Sequence, residues 1–359
     1  MCMTCNVSFD QSKAEGFASK LLSHLNASAV MLMTSLGHRT GLFDAMADGE
    51  GDTSVSLANK ARLSERYVRE WLGAMVTGGI VDYDPESQTY VLPAEHAAYL
   101  TRAASPNHIA VGAQYVGVLG AAADAVAAAF QHGRGVPYSA YPRFHDVMAE
   151  DSGQTALGGL YDHVIPAVPG LQARLEKGID VADVGCGAGL VLTALAERFP
   201  NSRFIGLDLS PEMTAKANAR AKQRWLTNVR FVECDLSAWG ATAEYDLVTA
   251  FDAIHDQGRP DLVLGHIRRA LRPGGTFLMQ DIKASSDVSQ NHDLPLSAFI
   301  YTISCMHCMS VSLAQGGMGL GAAWGKELAL SMLRDAGFGQ TDVKELPHDF
   351  QNYYYISNV

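Results

Sequence analysis

A glycine-rich turn stands between a strand-like and a helical segment near the middle of the chain. Residues 180–189 are DVADVGCGAG, a strand-like run followed by glycine at every second position. Apolar residues at helical spacing follow at once in Leu190–Arg198. At the carboxyl edge of a parallel sheet, such a turn lets a ligand approach the backbone closely. The turn therefore predicts an α/β fold with a ligand at this edge.

Short strand-like runs alternate with helical segments from residue 179 onward. The strand-like runs are Asp180–Val184, Arg203–Leu207, Val229–Val232, Asp246–Ala250 and Thr276–Gln280. The helical segments between them include Leu190–Arg198, Glu212–Arg224 and Asp261–Leu271. This alternation predicts a parallel sheet with helices on both faces. The last two runs, GFGQTDVKEL and NYYYISNV, are separated by a short turn and are predicted to pair antiparallel.

Residues around the turn indicate the kind of ligand. Position 190 is Leu, whereas a dinucleotide fingerprint has Gly or Ala there. Asp183 lies beside the turn and favours a cationic ligand over a phosphate. Asp208 ends the second strand, where a carboxylate accepts the two hydroxyls of a ribose. Asp235 ends the third strand, where a carboxylate suits an exocyclic amine.

These features, in this order on successive strands, resemble the class I S-adenosylmethionine-dependent methyltransferases. The resemblance covers residues 179–359, including the LRPGG turn before the fifth strand and the terminal antiparallel pair. It implies a Rossmann-like seven-stranded sheet and S-adenosylmethionine as cofactor. The cofactor-binding residues that it implies in this domain are Asp183, Gly185, Gly187, Gly189, Asp208, Leu209, Asp235, Leu236 and Phe251.

The N-terminal part, residues 1–104, has a different pattern of helix, turn, helix and hairpin. Ser64 is a candidate N-cap for a helix that Gly78 ends, and IVDY and TYVL flank the turn-forming DPESQ. This is a winged-helix pattern, which serves either to bind DNA or as a dimerisation platform. Residues 1–100 hold seven basic and twelve acidic residues, so dimerisation is favoured. Residues 105–178 are predicted to be a helical linker or substrate cap.

The composition excludes several classes of protein. The formal net charge of −11 disfavours sequence-independent binding of nucleic acid. The longest apolar stretch, 110–130, contains Gln114 and Asp124 and is predicted to be a buried helix rather than a membrane span. Six cysteines in 359 residues, with no basic segment and apolar run at the start, favour the cytoplasm.

The cysteines include two CxxC pairs, Cys2 with Cys5 and Cys305 with Cys308. Four thiolates are a possible zinc set, but about 300 residues separate the pairs and the first is terminal. Cys305 and Cys308 are more simply explained as one buried face of a helix. No metal site is predicted.

The acceptor side resembles the small-molecule O-methyltransferases that carry an N-terminal winged-helix dimerisation domain. In that family a His-Asp pair follows the fourth strand and the His is the general base, which corresponds to His255 and Asp256. A carboxylate after the fifth strand orients the His, and Asp281 has that position.

The same family has a Phe-x3-Met-x3-Ser spacing before the glycine turn, and FHDVMAEDS reproduces it. The resemblance implies that Phe144 and Met148 wall the reacting centre and that Ser152 reaches the amino-acid end of the cofactor. Tyr301 and His307, in the insertion after the fifth strand, are candidate acceptor-lining residues or buried core groups.

The chain also departs from that family. Gln257 replaces a common Trp, and the second orienting Glu expected near Ala322–Trp324 is absent. In these two departures the chain more closely resembles bacterial winged-helix methyltransferases of undefined substrate. The nearby SLAQGGMGLGAAWG segment is interpreted as a mobile loop or as a lid over the substrate.

The favoured function is methyl transfer to a small molecule at oxygen, by a homodimer. The alternatives are a transcriptional regulator that senses S-adenosylmethionine and a methyltransferase of a soft sulfur or metalloid acceptor. A nicotinamide dehydrogenase is disfavoured by Leu190 and by the terminal hairpin.

Overall fold

The computed structural model describes residues 9–104 and 108–359, and the chain divides into two compact units, Met1–Gly117 and Val118–Val359. The helices are α1 Gln11–Thr40, α2 Leu42–Ala45, α3 Ser54–Ala61, α4 Glu65–Thr77, α5 Ala94–Leu100, α6 Ala110–Gly120, α7 Ala123–His132, α8 Phe144–Gln154, α9 Ile165–Ala167, α10 Leu171–Lys177, α11 Leu190–Arg198, α12 Pro211–Gln223, α13 Pro260–Ala270, α14 Ser297–Ile303, α15 Met309–Ala314 and α16 Gly325–Asp335. The strands are β1 Asp82–Asp84, β2 Thr89–Val91, β3 Asp180–Val184, β4 Arg203–Asp208, β5 Val229–Glu233, β6 Tyr245–Phe251, β7 Leu271–Ile282, β8 Thr341–Leu346 and β9 Asp349–Asn358.

The first unit contains the predicted winged helix. Helices α3 and α4 are followed by the antiparallel pair β1–β2. The indole N–H of Trp71 on α4 donates to the carbonyl of Met33 on α1 at 2.9 Å, and Phe43 packs edge-on against the same indole. Ser64 stands at the N-cap of α4 as predicted, but its side chain makes no capping hydrogen bond. Packing of the apolar face therefore holds this helix.

The second unit is built on a seven-stranded sheet in the order β5-β4-β3-β6-β7-β9-β8. The first five strands of this order run parallel, and β9 pairs antiparallel with both β7 and β8. This confirms the predicted α/β class and the terminal antiparallel pair. The central strand β3 is almost wholly buried because helices cover both of its faces.

Two hydrophobic cores lie on the two faces of the sheet. Val181 of β3 belongs to one core with Leu192 of α11, and Ala182 belongs to the other with Leu264 of α13. Side chains of a strand point alternately to opposite faces, so one strand anchors both layers. The predicted segment 105–178 is divided between the two units, and its part beyond Gly117 lies in the second unit.

Two apolar helical stretches of the chain approach the length of a membrane span. Helical residues Ser297–Ala314, and the pair α6–α7 taken together, are long and apolar enough to cross a membrane by length and composition. One third of the Ser297–Ala314 window is buried inside the structure, and core helices meet the same criterion. The single helix predicted over 110–130 is wrong, because the chain bends by 58° between α6 and α7, where Gly120 ends the first helix.

Leu72→Ala tests the packing of the winged-helix core. Leu72 on α4 is completely buried, so the truncation leaves a cavity and is expected to reduce the free energy of unfolding by about 2–5 kcal/mol. Val55→Ala on the exposed surface of α3 is the matched control, with an expected change within about 0.5 kcal/mol. Urea denaturation measures both, and equal losses would contradict the described packing.

Candidate active site

The glycine turn after β3 has a left-handed backbone conformation that favours glycine. Gly185, Gly187 and Gly189 all have positive φ, at 69°, 49° and 68°. A Cβ on Gly189 would lie 2.4 Å from the ring of Phe231 on β5, so a side chain there is excluded. A Cβ on Gly187 would meet open space, so the backbone at this position faces the space above the sheet edge. A ligand has access to it there.

Asp208 ties the end of β4 to the glycine turn. Its Oδ2 accepts the N–H of Gly187 and its Oδ1 accepts the N–H of Ser210, each at 2.8 Å. These bonds fix the orientation of the carboxylate before any ligand arrives. Its neighbour Leu209 is exposed, and Phe251 at the end of β6 is half-buried.

The two residues predicted to border the adenine after β5, Asp235 and Leu236, differ in exposure. Asp235 is exposed, and its Oδ1 accepts both the N–H and the hydroxyl of Ser237, at 2.9 and 2.7 Å. Leu236 is buried in the core against Trp239 and Val263 on one face of the sheet. Its side chain therefore belongs to the core.

Asp183 is buried at the end of β3 beneath the turn. The hydroxyl of Thr249 on β6 donates to its Oδ1 at 2.7 Å. Burial raises the pKa of Asp183 to about 7, the bond from Thr249 opposes this rise, and the negative charge of Asp208 adds to it. Asp183 and Asp208 thus place two carboxylates near one edge of the sheet, and their negative charge favours a positively charged ligand there.

His255 and Asp281 form a buried pair at the ends of β6 and β7. Nδ1 of His255 lies 2.8 Å from Oδ1 of Asp281, and both side chains are almost inaccessible to solvent. Burial alone lowers the pKa of His255, but the attraction of Asp281 outweighs it, and the pKa lies well above its ordinary value. Cys308 contributes in the same direction through its proximity to the ring.

Trp324 takes part in this pair, and sequence reasoning missed it. Its indole N–H donates to Oδ1 of Asp281 at 3.0 Å, and the N–H of Ile282 donates to the same atom at 2.8 Å. The other oxygen of Asp281 is buried without a hydrogen-bond partner among the described residues. The sequence does carry one signal for this position. Trp324 lies in the short segment where a second orienting carboxylate was expected, so a different partner of the His255–Asp281 pair could be sought there.

An aromatic group surrounds His307, which is only 1% exposed. The ring of Phe144 stacks on the imidazole at 3.5 Å between centroids, and Tyr138 and Tyr141 approach it edge-on at 4.7 and 4.8 Å. Neither ring nitrogen of His307 has a hydrogen-bond partner within the described ranges. Burial, and then the positive charges of His255 and His145, hold the pKa of His307 well below its ordinary value.

The remaining predicted residues have more varied surroundings. Met148 and Ser152 are half-buried on α8, the helix that carries Phe144. Tyr301 on α14 accepts a hydrogen bond from the amide of Asn291 at 2.8 Å and is partly exposed. Cys308 ends the π-helical turn Ser304–Cys308 and is buried, in agreement with the helical interpretation of the CMHC segment. Cys2 and Cys5 lie outside the described residues.

The glycine-rich segment 315–325 packs on the loop that carries His255. The N–H of Gly321 donates to the carbonyl of His255 at 3.2 Å, and the N–H of Met318 donates to the carbonyl of Gly258 at 3.0 Å. A Cβ on Gly317 would lie 2.5 Å from the backbone of Gly258. Glycine is needed here for close backbone packing, and the segment supports the His255 loop from one side.

Comparison with known families agrees with this arrangement. Residues 28–102 match the Rv2258c-like winged HTH domain, and residues 175–337 match a methyltransferase domain family. The chain joins a winged-helix domain to a methyltransferase domain. S-Adenosylmethionine is the cofactor of this methyltransferase domain, and the glycine turn with its two carboxylates fits a ligand that carries a positive charge.

Similar proteins share parts or all of this architecture. Trans-aconitate 2-methyltransferase of Azoarcus sp. is 34% identical over 123 residues, which are 34% of this chain and 43% of that protein. The chain thus spans less than half the length of the curated relatives it matches. A putative O-methyltransferase from Nostoc punctiforme has a TM-score of 0.72 at 19% identity, over 95% of this chain and 98% of that one. Human N-acetylserotonin methyltransferase in complex with S-adenosylmethionine has a TM-score of 0.70 at 20% identity, over 99% of both chains.

Asp208→Ala tests the predicted ribose contact in the winged-helix methyltransferase. Loss of two charge-assisted hydrogen bonds, each contributing about 1.5–3 kcal/mol, is expected to weaken S-adenosylhomocysteine binding at least about tenfold. Isothermal titration calorimetry measures the affinity, and circular dichroism checks that the fold is kept. Glu212→Ala on the exposed first turn of α12 is the control and should bind as the parent does. Unchanged affinity of Asp208→Ala would overturn the ribose assignment.

Proposed function

We propose that the protein transfers the methyl group of S-adenosylmethionine to an oxygen atom of a small molecule, with His255 as general base. The observation that carries this proposal is the buried contact of 2.8 Å between Nδ1 of His255 and Oδ1 of Asp281. An acceptor hydroxyl is a weak nucleophile until its proton leaves, so a base beside the reacting atoms increases the rate.

The two residues have different tasks in this mechanism. The N–H at Nδ1 of His255 donates a hydrogen bond to Asp281, which leaves Nε2 free to take the proton of the acceptor. The carboxylate then stabilises the imidazolium that forms, as in other carboxylate–imidazole pairs. When bound, S-adenosylmethionine supplies a methyl group on a positively charged sulfur. The glycine turn, with Asp183 beneath it, would line the methionyl part of the cofactor. Asp208 would hold the ribose, and Asp235 would border the adenine.

The acceptor pocket in this proposal is lined by Phe144, Met148, His307 and Tyr301, with Ser152 toward the amino-acid end of the cofactor. Burial of the His307 group supports a pocket that excludes water. Two similar proteins are named trans-aconitate 2-methyltransferase and N-acetylserotonin methyltransferase. Both names support a small molecule as the acceptor, but the two acceptors are different molecules. We therefore propose the reaction class and leave the acceptor to a screen of metabolites with labelled methyl donor.

The winged helix is proposed to serve assembly rather than DNA binding. On α4, Arg69 forms an ion pair with Glu65 and Arg66 forms one with Glu70. Arginines that bind DNA must neutralise phosphates, and here both have carboxylate partners on the same helix. The alternative of a DNA-binding sensor would be supported by a gel shift on genomic fragments.

Helix α1 supports the homodimer in this proposal. Its first nineteen residues are exposed or nearly so, and apolar side chains recur along one stripe at Phe17, Leu21 and Leu25. Leu21 and Leu25 are 52% and 67% exposed. An apolar stripe on a long exposed helix fits a second copy of the same helix across a two-fold axis.

We propose that the enzyme is located in the cytoplasm. Four cysteines in the described part of the chain, Cys186, Cys234, Cys305 and Cys308, are free thiols. Free thiols in this number suit a reducing compartment.

His255→Ala tests the base. Turnover with an oxygen acceptor is expected to fall by about 10²–10⁴-fold, while S-adenosylhomocysteine affinity is kept. A base must be neutral to work, and the pKa of His255 is raised, so the wild-type rate should increase with pH at values above the 6.5 of a free imidazole and then level off. Single-turnover methyl transfer measured across this pH range gives both results.

Asp281→Asn is the companion variant for the same experiment. Removal of the carboxylate takes away the attraction that raises the pKa of His255, so the pH profile should move to lower pH.

One outcome for His255→Ala would contradict the role of His255 as the base. If the rate of methyl transfer falls by less than about fivefold, a packing change alone explains the loss, and a thiolate, thioether or metalloid acceptor that needs little base is favoured.

Leu21→Glu combined with Leu25→Glu tests the dimer. Charges in an apolar interface are expensive to bury, so this variant should sediment as a monomer at concentrations where the parent is a dimer. Ser19→Glu with Ser23→Glu adds the same charge about 200° around α1 and should remain dimeric. If both variants behave as the parent, the interface lies elsewhere.

A further inference from the structure

A small cleft lies beside the end of β7, and the proposed reaction does not involve it. Its volume is about 220 Å³, below the roughly 300–1,000 Å³ of pockets for drug-sized ligands, so it suits a small ion or group. Charged and polar side chains supply most of its lining, among them Lys283, Ser285, Asn291, Lys326, Glu327 and Tyr353. This space is called the lysine cleft.

Two ammonium groups converge on one aromatic ring in the lysine cleft. Nζ of Lys326 lies 5.3 Å from the centroid of the Tyr353 ring, and Nζ of Lys283 lies 5.6 Å from it. Each cation is attracted to the ring, but the two positive charges repel each other. A negatively charged group between them would remove this repulsion and accept hydrogen bonds from both.

The two lysines differ in their own partners. Lys283 forms an ion pair with the exposed carboxylate of Glu345. Lys326 is half-buried and forms no ion pair with any residue that the structure describes. Lysine is rarely buried without a partner, because the ammonium group loses hydration there. Lys326 is therefore the group that an anionic ligand would pair.

Glu327 also lines the cleft, and its negative charge opposes an anion there. Its Oε2 accepts the N–H of Ser286 at 2.7 Å, and the residue lies in the first turn of α16. That hydrogen bond is the main reason that the pKa of Glu327 is lowered. The partial positive charge at the start of the helix offsets the carboxylate. The two ammonium groups therefore set the sign of the charge that the cleft presents.

We propose that the lysine cleft binds a small anionic group, a carboxylate or a phosphate, between the ammonium groups of Lys283 and Lys326. Lys326 provides the unpaired charge, and Lys283 provides a second donor on the same ring. Both classes of anion accept hydrogen bonds from ammonium groups. An anion site here does not depend on the role proposed for His255.

The cleft is built from the two segments that meet at the contact between Trp324 and Asp281. Lys283 follows Asp281 by two residues, and Lys326 follows Trp324 by two. The N–H of Lys326 donates to the carbonyl of Ala284 at 2.9 Å, which joins the two segments. An anion that bridges both lysines would tie the same segments together a second time, next to the hydrogen bond from Trp324 to Asp281.

Isothermal titration calorimetry of the full-length protein with sodium phosphate, and separately with sodium acetate, tests the site. Sodium chloride keeps the ionic strength constant, because salt screens exposed charges. Saturable binding of at least one anion is expected, and the tighter of the two shows whether the ligand carries a phosphate or a carboxylate. Lys326→Gln and Lys283→Gln should each weaken this binding by about tenfold or more, since each removes a charge-assisted hydrogen bond.

Two further variants test the sign and the position of the charge. Glu327→Gln keeps an acceptor for the N–H of Ser286 but removes the negative charge, so it should strengthen anion binding by about two- to fivefold. Lys222→Gln removes a positive charge from the exposed end of α12 and should leave the binding unchanged. Circular dichroism checks that each variant keeps the fold.

Several results would overturn the anion site. These are the absence of saturable binding for both anions, unchanged binding in both cleft lysine variants, and equal losses in those variants and in Lys222→Gln, which would show a non-specific attraction. Weaker binding in Glu327→Gln would contradict the proposed position of the anion. S-Adenosylhomocysteine affinity should be the same in every variant, so failure of the anion site and failure of the proposed methyl transfer are separate results.

Discussion

The register of β6 against β7 is the constraint on which the candidate site depends. Phe251, the last residue of β6, pairs with Gln280 of β7. Asp281, the next residue of β7, and His255, four residues beyond β6, therefore come to the same end of the two strands. A slip of one residue would turn Asp281 to the opposite face of the sheet and break its contact with His255. The parallel pairing of β3 with β4 brings Asp183 and Asp208 to the same edge.

Carboxylates accumulate at this edge more than a stable fold by itself requires. Burial raises the pKa of Asp183 to about 7 and that of Asp256 to about 6, and in both cases Asp208 contributes. Asp252 follows β6 with a positive φ of 50°, and its pKa lies well above the ordinary value, first because it is buried. A bound cation lowers the cost of ionising these groups, so cofactor binding and their deprotonation support each other.

Local patterns in the sequence predict the fold well and the site in part. Strand β3 and helix α11 match the prediction because the alternation of strand-like and helical segments and helical spacing are local properties. The position of Trp324 at the His255–Asp281 pair was not predicted. It depends on the bond from Trp324 to Asp281, which lies 43 residues earlier in the chain, and periodicity carries no information on such contacts.

Trp324 also bears on how the base can work with one carboxylate. A second anion near His255 would raise its pKa further and increase the fraction that is protonated and inactive as a base. The indole N–H of Trp324 instead satisfies Oδ1 of Asp281 and fixes its orientation without adding charge. Since Asp281 already holds the pKa of His255 well above its ordinary value, a neutral donor positions the carboxylate without raising that pKa further.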